Sequence, residues 1–127
     1  MGQHSPADIA RAWWRAVDEA NFAKAILLME PTAKVDWPLS NERMDNPNAW
    51  KLVNENYPGR WTASIRSLVA DEDTVVTLVD VTDGGISIVA ISYFTIESGV
   101  IVNLVEYWPE TYAAPNWRSE WVTPIPR

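Results

Sequence analysis

Cysteine is absent from this 127-residue chain, and histidine occurs once, at His4. The first absence excludes disulfides and cysteine-based metal sites. The second leaves a zinc or non-haem iron site without the two or three histidines that such sites normally use. Because His4 lies in a polar leader before the first predicted helix, a Ser–His–Asp triad built on it is not expected. We therefore predict no metal and no cofactor.

Basic residues are also scarce, with 10 Lys and Arg against 17 Asp and Glu and a formal net charge of −7. This balance argues against a nucleic-acid surface and against docking on anionic lipid. The chain has no apolar run long enough to span a membrane, and residues 1–6 lack the charged-then-apolar pattern of a signal peptide. We expect a cytoplasmic protein without a nucleic-acid or membrane partner, whose acidity serves solubility.

Hydrophobic residues, by contrast, make up 47% of the sequence, and eight of the residues are tryptophan. The length suits a single domain over residues 1–127, with flexible ends at 1–5 and 122–127, and the apolar content suffices for one sizeable core. Tryptophan at this frequency must serve core packing, ligand binding or both.

The N-terminal part of the chain has the periodicity of helices. Ser5 is a suitable cap and Pro6 a suitable first residue for one helix, and Asn21 restarts the chain into a second. The apolar face of the second helix extends to Met29, and Pro31 is predicted to end it. This part of the sequence therefore predicts two consecutive helices.

A short strand is predicted at residues 33–37, and residues 39–45 read as a polar loop. A third helix begins at Asn46–Pro47 and stops at Pro58–Gly59. Trp50 lies on its apolar side together with Tyr57. These elements complete the predicted N-terminal half.

From residue 61 onward the hydrophobic period changes to two, and turn residues separate the apolar runs. This pattern predicts an antiparallel meander whose one face the helices cover, leaving a concave mouth. After Pro115, Trp117 and Trp121 are spaced for one face of a short helix that folds back on the sheet or on a dimer partner. The predicted strands are 61–69, 74–82, 86–96 and 100–108.

Three local segments appear in an order that resembles the NTF2-like superfamily, and they are Val35–Pro38, Ile91–Phe94 and Tyr107–Glu110. That superfamily includes ketosteroid isomerases and SnoaL-like polyketide cyclases, and the resemblance spans about Ala7 to Glu110. It implies an α+β cone, with N-terminal helices packed on a curved, mostly antiparallel sheet that encloses a pocket. It also implies a homodimer through the outer sheet face, which the β-branched strands would suit.

The resemblance does not carry the ketosteroid isomerase residues into this chain. The position of that enzyme's tyrosine falls on Trp13, that of its base on Trp37 and that of its protonated acid on Ser92. An indole N–H is a donor only, so isomerisation by that mechanism is not expected. The histidines of a scytalone-dehydratase-like route and the Arg-x-Asp strand pair of a limonene-epoxide-hydrolase-like route are also missing.

Glu106 is the candidate catalytic or ligand-anchoring residue. If Trp108 faces the pocket, strand alternation places Glu106 and Leu104 on the same side. Burial would raise the pKa of the carboxyl, which is the usual way to make a general acid or base. Two alternatives stay open: a structural carboxylate bonded to an indole N–H or to Asn54, or an outward-facing residue.

Trp13, Trp37 and Trp108 are the predicted pocket wall for a flat apolar or aromatic ligand. Tyr57, Trp50 and Trp61 are candidates for its rim, and Ser92 for a hydroxyl that donates to a ligand carbonyl. The alternative for each is ordinary core packing, since a tryptophan at helical spacing is more often core. Three further residues are not expected in the pocket: Trp14 as a packing or interface residue, Asp36 because alternation aims it away from Trp37, and Asp80 because it should lie on the outer face.

Three functions remain open from the sequence. The first is an enzyme that acts on a small apolar carbonyl compound by isomerase-, cyclase- or lyase-like acid–base chemistry at Glu106. The second is a ligand-binding protein without chemistry, and the third is a protein-interaction module. Fold alone does not choose among them.

Overall fold

The computed structural model describes residues 4–126, so residues 1–3 and 127 of the predicted flexible ends lie outside it. Over this range the chain forms three α-helices, six strands and one 3-10 helix. Their order is α1 (Pro6–Asp18), α2 (Phe22–Ile26), β1 (Met29–Trp37), β2 (Glu42–Met44), α3 (Pro47–Glu55), β3 (Thr62–Asp71), β4 (Thr74–Thr82), β5 (Ser87–Glu97), β6 (Val100–Tyr107) and the 3-10 helix Asn116–Trp121.

Each α-helix begins where its capping residue predicts. The Ser5 hydroxyl accepts from the Asp8 N–H at 3.1 Å, and the Ser5 N–H donates to the Asp8 carboxylate at 3.4 Å, which makes a capping box. The side chains of Asn21 and Asn46 each accept from the N–H three residues ahead, at 3.1 and 2.8 Å. The predicted starts of all three helices are thereby confirmed.

Within residues 4–126 the strands form one sheet in the order β2-β1-β6-β5-β4-β3. The predicted meander is confirmed, because β3 to β6 pair antiparallel in sequence order. β1 instead lies parallel to β6, with Asp36 opposite Val105. This parallel pairing brings the ends of the two strands together, and the candidate site lies there.

The predicted ends of α2 and α3 and the predicted loop at residues 39–45 were wrong. α3 ends at Glu55, so Tyr57 lies in the turn after the helix. α2 ends at Ile26, and Met29 opens β1 opposite Ile101 of β6. Pro31 lies within β1 where the pairing with β6 is irregular, so its missing N–H removes no ladder bond there. Residues 42–44, expected in a loop, pair with the end of β1 as β2. A short edge strand carries little hydrophobic periodicity of its own, which is why the sequence did not reveal it.

The helices cover one face of the sheet, and Trp13 of α1 is at the centre of the contact. Its ring centroid lies 5.1 Å from that of Trp50 in α3, 5.4 Å from that of Phe94 in β5 and 4.9 Å from that of its neighbour Trp14. Trp13 and Trp50 are each 1% exposed. These rings join α1, α3 and the sheet at the centre of the hydrophobic core. Trp50 is therefore a core residue and does not lie at the rim of the pocket.

The C-terminal segment forms a helix after Pro115 as predicted, but of the 3-10 type. Trp117 and Trp121 are 73% and 74% exposed, so neither folds back onto the sheet of its own chain. A 3-10 helix has about three residues per turn, which separates positions i and i+4 by about 120°. The two rings therefore do not share one face, and the spacing argument fails. The Arg118 guanidinium lies over the Trp117 ring, 5.3 Å from its centroid.

Candidate active site

The parallel pairing of β1 with β6 places Trp37 beside Glu106. The Trp37 indole N–H donates to Glu106 Oε1 at 3.1 Å. Across the other edge of β6, Ser92 lies opposite Glu106, and its hydroxyl donates to Glu106 Oε2 at 3.4 Å. Three strands thus each contribute one residue to a carboxyl group held on the helix-covered face of the sheet.

Glu106 is only 1% exposed, and its side chain takes part in no ion pair within the described residues. Burial raises the pKa of this carboxyl to about 7, while the hydrogen bonds from Trp37 and Ser92 favour the ionised form and limit the rise. Near neutral pH both the acid and the base form of the group are therefore populated. Glu106 faces inward, as strand alternation predicts.

A cavity of about 910 Å³ lies between the helices and this end of the sheet, with Glu106 on its wall. Because so little of Glu106 is exposed, a bound molecule would meet only an edge of the carboxyl. Most of the remaining wall is aromatic and apolar. Its aromatic side chains are Trp14, Phe22, Trp37, Tyr57, Trp61 and Trp108.

Three of the predicted ligand contacts do not reach this cavity. Trp13 and Leu104 lie in the packed core, Leu104 because it is one full pleat further into the sheet than Glu106 and fully buried. Ser92 is also fully buried and contacts Glu106 instead of the cavity. Of the predicted site residues, the structure brings together Trp37, Trp108, Tyr57 and Glu106.

Trp14, expected in packing or an interface, packs in the core and also borders the cavity. Its indole N–H donates to Thr77 Oγ1 of β4 at 3.0 Å, and both side chains are buried. α1 is covered on two sides, so consecutive residues Trp13 and Trp14 both find apolar surroundings. Helical periodicity alone does not reveal this, because it assigns one buried face to a helix.

Trp108 carries a hydrogen-bond donor without a protein acceptor. Its ring lies edge-on to that of Trp37, with centroids 6.2 Å apart. Its Nε1 is buried, and no acceptor for it occurs among residues 4–126. An unsatisfied buried donor is costly. The indole N–H of Trp13 in the packed core also lacks an acceptor among the described residues, so the missing acceptor does not by itself mark a ligand contact.

The outer rim of the cavity is built by the turn after α3. The Trp61 indole N–H donates to the Pro58 carbonyl at 2.9 Å, and the Tyr57 ring packs edge-on against Trp61. Gly59 has φ +90°, and an added Cβ would approach Trp61 Nε1 to 3.3 Å, so this turn favours glycine on both counts. The guanidinium of Arg60 donates to the carbonyl oxygens of Trp61 and Asp18.

Two acidic residues point away from the cavity, as expected. Asp36 forms a two-pronged pair with Arg43 at 2.6 and 2.9 Å, and these hydrogen bonds lower the pKa of its carboxyl. Asp80 pairs with Arg66 at 2.6 Å between β4 and β3. Asp36 is half-buried and the other three side chains are exposed, and neither pair contributes to the cavity wall.

No group of three or more potential metal ligands occurs among residues 4–126. Within the same range, no helix is both long and apolar enough to cross a membrane. Around the cavity the described residues present one titratable carboxyl, held by an indole N–H and a hydroxyl, and an aromatic wall.

Comparison with known structures shows the class of fold. A candidate ketosteroid isomerase from Kribbella flavida DSM 17836 superposes with a TM-score of 0.89 at 22% identity, covering 96% of this chain and 90% of that one. An NTF2-like protein of unknown function from Burkholderia xenovorans LB400 gives 0.81 at 22%, covering 95% of each chain. IdmH, a candidate polyketide cyclase from Streptomyces antibioticus, gives 0.71 at 16%, covering 83% and 92%.

The helices packed on a curved, mostly antiparallel sheet are thus the α+β cone of the NTF2-like superfamily. Within it the chain belongs to the SnoaL-like family, since the model of the SnoaL-like domain matches residues 10–104. No curated protein matches the sequence. Glu106 and Trp108 lie just beyond the matched residues, so their roles must be argued from the geometry of this chain.

Proposed function

We propose that this chain binds a small apolar or aromatic molecule in the tryptophan-lined cavity, and that Glu106 anchors it and exchanges a proton with it. One observation carries the proposal: a carboxyl without an ion-pair partner among residues 4–126 is buried on the cavity wall, and its pKa is about 7. Perturbed carboxyls in clefts are typical of acid–base sites.

The two protonation states offer complementary chemistry. As an acid, Glu106 donates a hydrogen bond or a proton to a carbonyl oxygen. As a base, it accepts a proton from carbon next to that carbonyl. This is isomerase-, cyclase- or lyase-like chemistry on a small carbonyl compound, and it needs no cofactor.

The site differs from that of ketosteroid isomerase in where its carboxyl lies. The resemblance assigns that enzyme's base and protonated acid to the positions of Trp37 and Ser92. Here both residues donate hydrogen bonds to Glu106. The proposed acid–base group thus comes from the neighbouring strand β6. The residues at the two ketosteroid isomerase positions, Trp37 and Ser92, hold it by hydrogen bonds.

A second candidate, binding without turnover, is favoured by the 1% exposure of Glu106. A carboxyl that meets the ligand only at its edge can anchor it through one hydrogen bond and carry out no proton transfer. The same cavity and the same residues serve either function, and only turnover of a bound compound separates them.

The expected homodimer, in a cytoplasmic setting, belongs to the same proposal. The outer face of the sheet carries large apolar side chains that are well exposed in the single chain: Ile91, Tyr93 and Tyr107. An apolar patch of this kind is typical of an interface. Sedimentation equilibrium of the wild type and of Tyr93→Lys tests this part, since a charge on the patch should yield monomers.

The main test is intrinsic tryptophan fluorescence during titration with small ketones, lactones and aromatic acids. The wild type is compared with Trp37→Phe, Glu106→Gln and the control Glu97→Gln, whose carboxyl is exposed at the far end of β5. Saturable quenching that weakens in the first two variants and persists in the control is expected. Turnover that Glu106→Gln abolishes would establish catalysis, whereas no response across the panel would contradict the small-molecule site.

A further inference from the structure

The wall of the cavity carries four carboxyl groups and one guanidinium within the described residues. The carboxyls belong to Glu42, Glu55, Glu106 and Glu110, and the guanidinium belongs to Arg60. Glu106 lies at the inner end, and the others stand around the exposed rim. A charge distribution of one sign around a low-dielectric cleft concentrates ligands of the opposite sign.

Few of these carboxylates are neutralised by the protein itself. Glu55 pairs with Lys51 at 3.2 Å. Glu42 and Glu110 take part in no ion pair among residues 4–126. The guanidinium of Arg60 donates to the carbonyl oxygens of Trp61 and Asp18, so it is held at the rim and is not paired with a carboxylate.

The aromatic side chains supply the second half of the argument. Trp37 and Trp108 lie next to Glu106, and Trp61 and Tyr57 form an edge-on pair at the rim. The faces of indole and phenol rings attract cations, and most strongly where water is excluded. Aromatic rings around one carboxylate are therefore a suitable environment for an ammonium group.

We propose that the ligand of this cavity is an organic cation, an apolar or aromatic molecule whose ammonium group lies among the indole rings and pairs with Glu106. This inference rests on the proposed small-molecule site and adds the charge class of its ligand. A ligand carboxylate would face the unpaired carboxyl groups of Glu42, Glu110 and Glu106. A neutral molecule would leave the ionised form of Glu106 without a counter-ion.

The pairing has a consequence for pH dependence. A bound cation favours the ionised form of Glu106, so its affinity rises as the pH increases through about 7, the pKa of the free group. Trp37 and Ser92, which contact Glu106 directly, do not titrate in this range. The other charged groups on the wall are Glu42, Glu55, Glu110 and Arg60. A neutral ligand should show no such rise.

A matched set of probes tests the charge class directly. Phenyltrimethylammonium and tert-butylbenzene have nearly the same shape and differ in charge, and 4-tert-butylbenzoate adds a carboxylate to the neutral molecule. Each is titrated against the wild type, Glu106→Gln and the exposed control Glu97→Gln by tryptophan fluorescence. The titrations run between about pH 6 and pH 8, on both sides of the Glu106 pKa in the ligand-free protein. The wild-type pH series does not depend on any variant folding.

We expect the wild type to bind the cation roughly tenfold more tightly than its neutral counterpart, and the anion most weakly. The preference should grow with pH, persist in Glu97→Gln and largely disappear in Glu106→Gln. If the neutral probe binds as tightly as the cation, or the preference does not change with pH, the cationic class is wrong while the small-molecule site stands. If none of the three probes binds, the cationic class is wrong, and the panel of ketones, lactones and aromatic acids decides whether the small-molecule site stands.

Discussion

Two groups of tryptophans in this chain have the same chemistry and different surroundings. The core cluster consists of Trp13, Trp50 and Phe94. The ring centroids of Trp50 and Phe94 lie 5.1 and 5.4 Å from that of Trp13, and both tryptophans are 1% exposed. In the cavity cluster, Trp37 and Trp108, the centroids are 6.2 Å apart and the rings stand beside open space. The two clusters differ in what packs against their rings.

The core cluster is closed because its two tryptophans come from α1 and α3, which pack over Phe94 of the sheet. No element among residues 4–126 fills the space beyond the cavity cluster, and a titratable carboxyl stands there in place of a hydrophobic side chain. Tryptophan is thus a packing residue where a second layer completes its contacts, and a candidate binding residue where that layer stops short. Four changes would break or sharpen this comparison.

The largest effect is expected for Trp13→Ala. It removes a fully buried ring from between three other aromatic rings, and such changes cost about 4 kcal/mol of unfolding free energy. Trp37→Ala should cost clearly less, because that ring is only partly buried and already borders a cavity. Urea unfolding followed by far-UV circular dichroism measures both. Equal losses would show that the two clusters are not different in kind.

The next effect is a pH dependence of stability that comes from Glu106. Its pKa is about 7 in the folded chain, against an ordinary value of 4.5. Between these values the folded state binds more protons than the unfolded state, so stability falls as the pH rises from about 5 to about 8. The full difference is about 3 kcal/mol.

Glu106→Gln should remove most of this fall and leave a variant more stable than the wild type above pH ~7. Unfolding free energies at several pH values measure it, with Glu97→Gln as the exposed control. A wild type whose stability stays constant over this range would mean that the buried carboxyl keeps an ordinary pKa.

A smaller loss is expected for Thr77→Val, which tests the hydrogen bond that ties Trp14 to the sheet. The change leaves the buried indole N–H of Trp14 without its acceptor at 3.0 Å, at a cost of about 2 kcal/mol. Thr95→Val on β5, at a less buried position, is the matched control and should change stability little. No difference between the two variants would show that the indole finds another acceptor.

The smallest effect is expected in a third environment, the exposed tail. Replacing Trp117 and Trp121 together by serine should change the unfolding free energy by less than about 0.5 kcal/mol per site, since both rings are largely exposed. The emission maximum should shift to shorter wavelength as the two exposed fluorophores disappear. A loss of several kcal/mol would show that these rings are buried in the protein in solution.

Local chemistry accounts for most of the fold that was predictable. Caps at Ser5, Asn21 and Asn46 mark the helix starts, and alternating β-branched residues between turns mark the four strands of the meander. Such signals act within a few residues, so they survive without knowledge of the tertiary contacts. The start of β1 at Met29 depends on pairing with the distant Ile101, and the edge strand at 42–44 is too short to carry a periodicity of its own, so both were missed.

The candidate site divides in the same way. Alternation along one strand placed Glu106 on the same side as Trp108 and left open whether that side faces the interior. It was not enough to separate Leu104, which lies in the core, from Glu106, which borders the cavity. That distinction depends on where the helices end above the sheet, which no local pattern encodes.

By itself the sequence determined the α+β class, the absence of cysteine chemistry, the helix starts and the meander, because each follows from composition or from contacts between near neighbours. Only the tertiary structure decided that Trp37 and Ser92 both donate to the Glu106 carboxyl and that Trp14, not Trp13, borders the cavity. The physical reason is range. Hydrogen bonds and burial between residues far apart in the chain are set by how whole elements pack, and a cavity is defined by the packing that is missing.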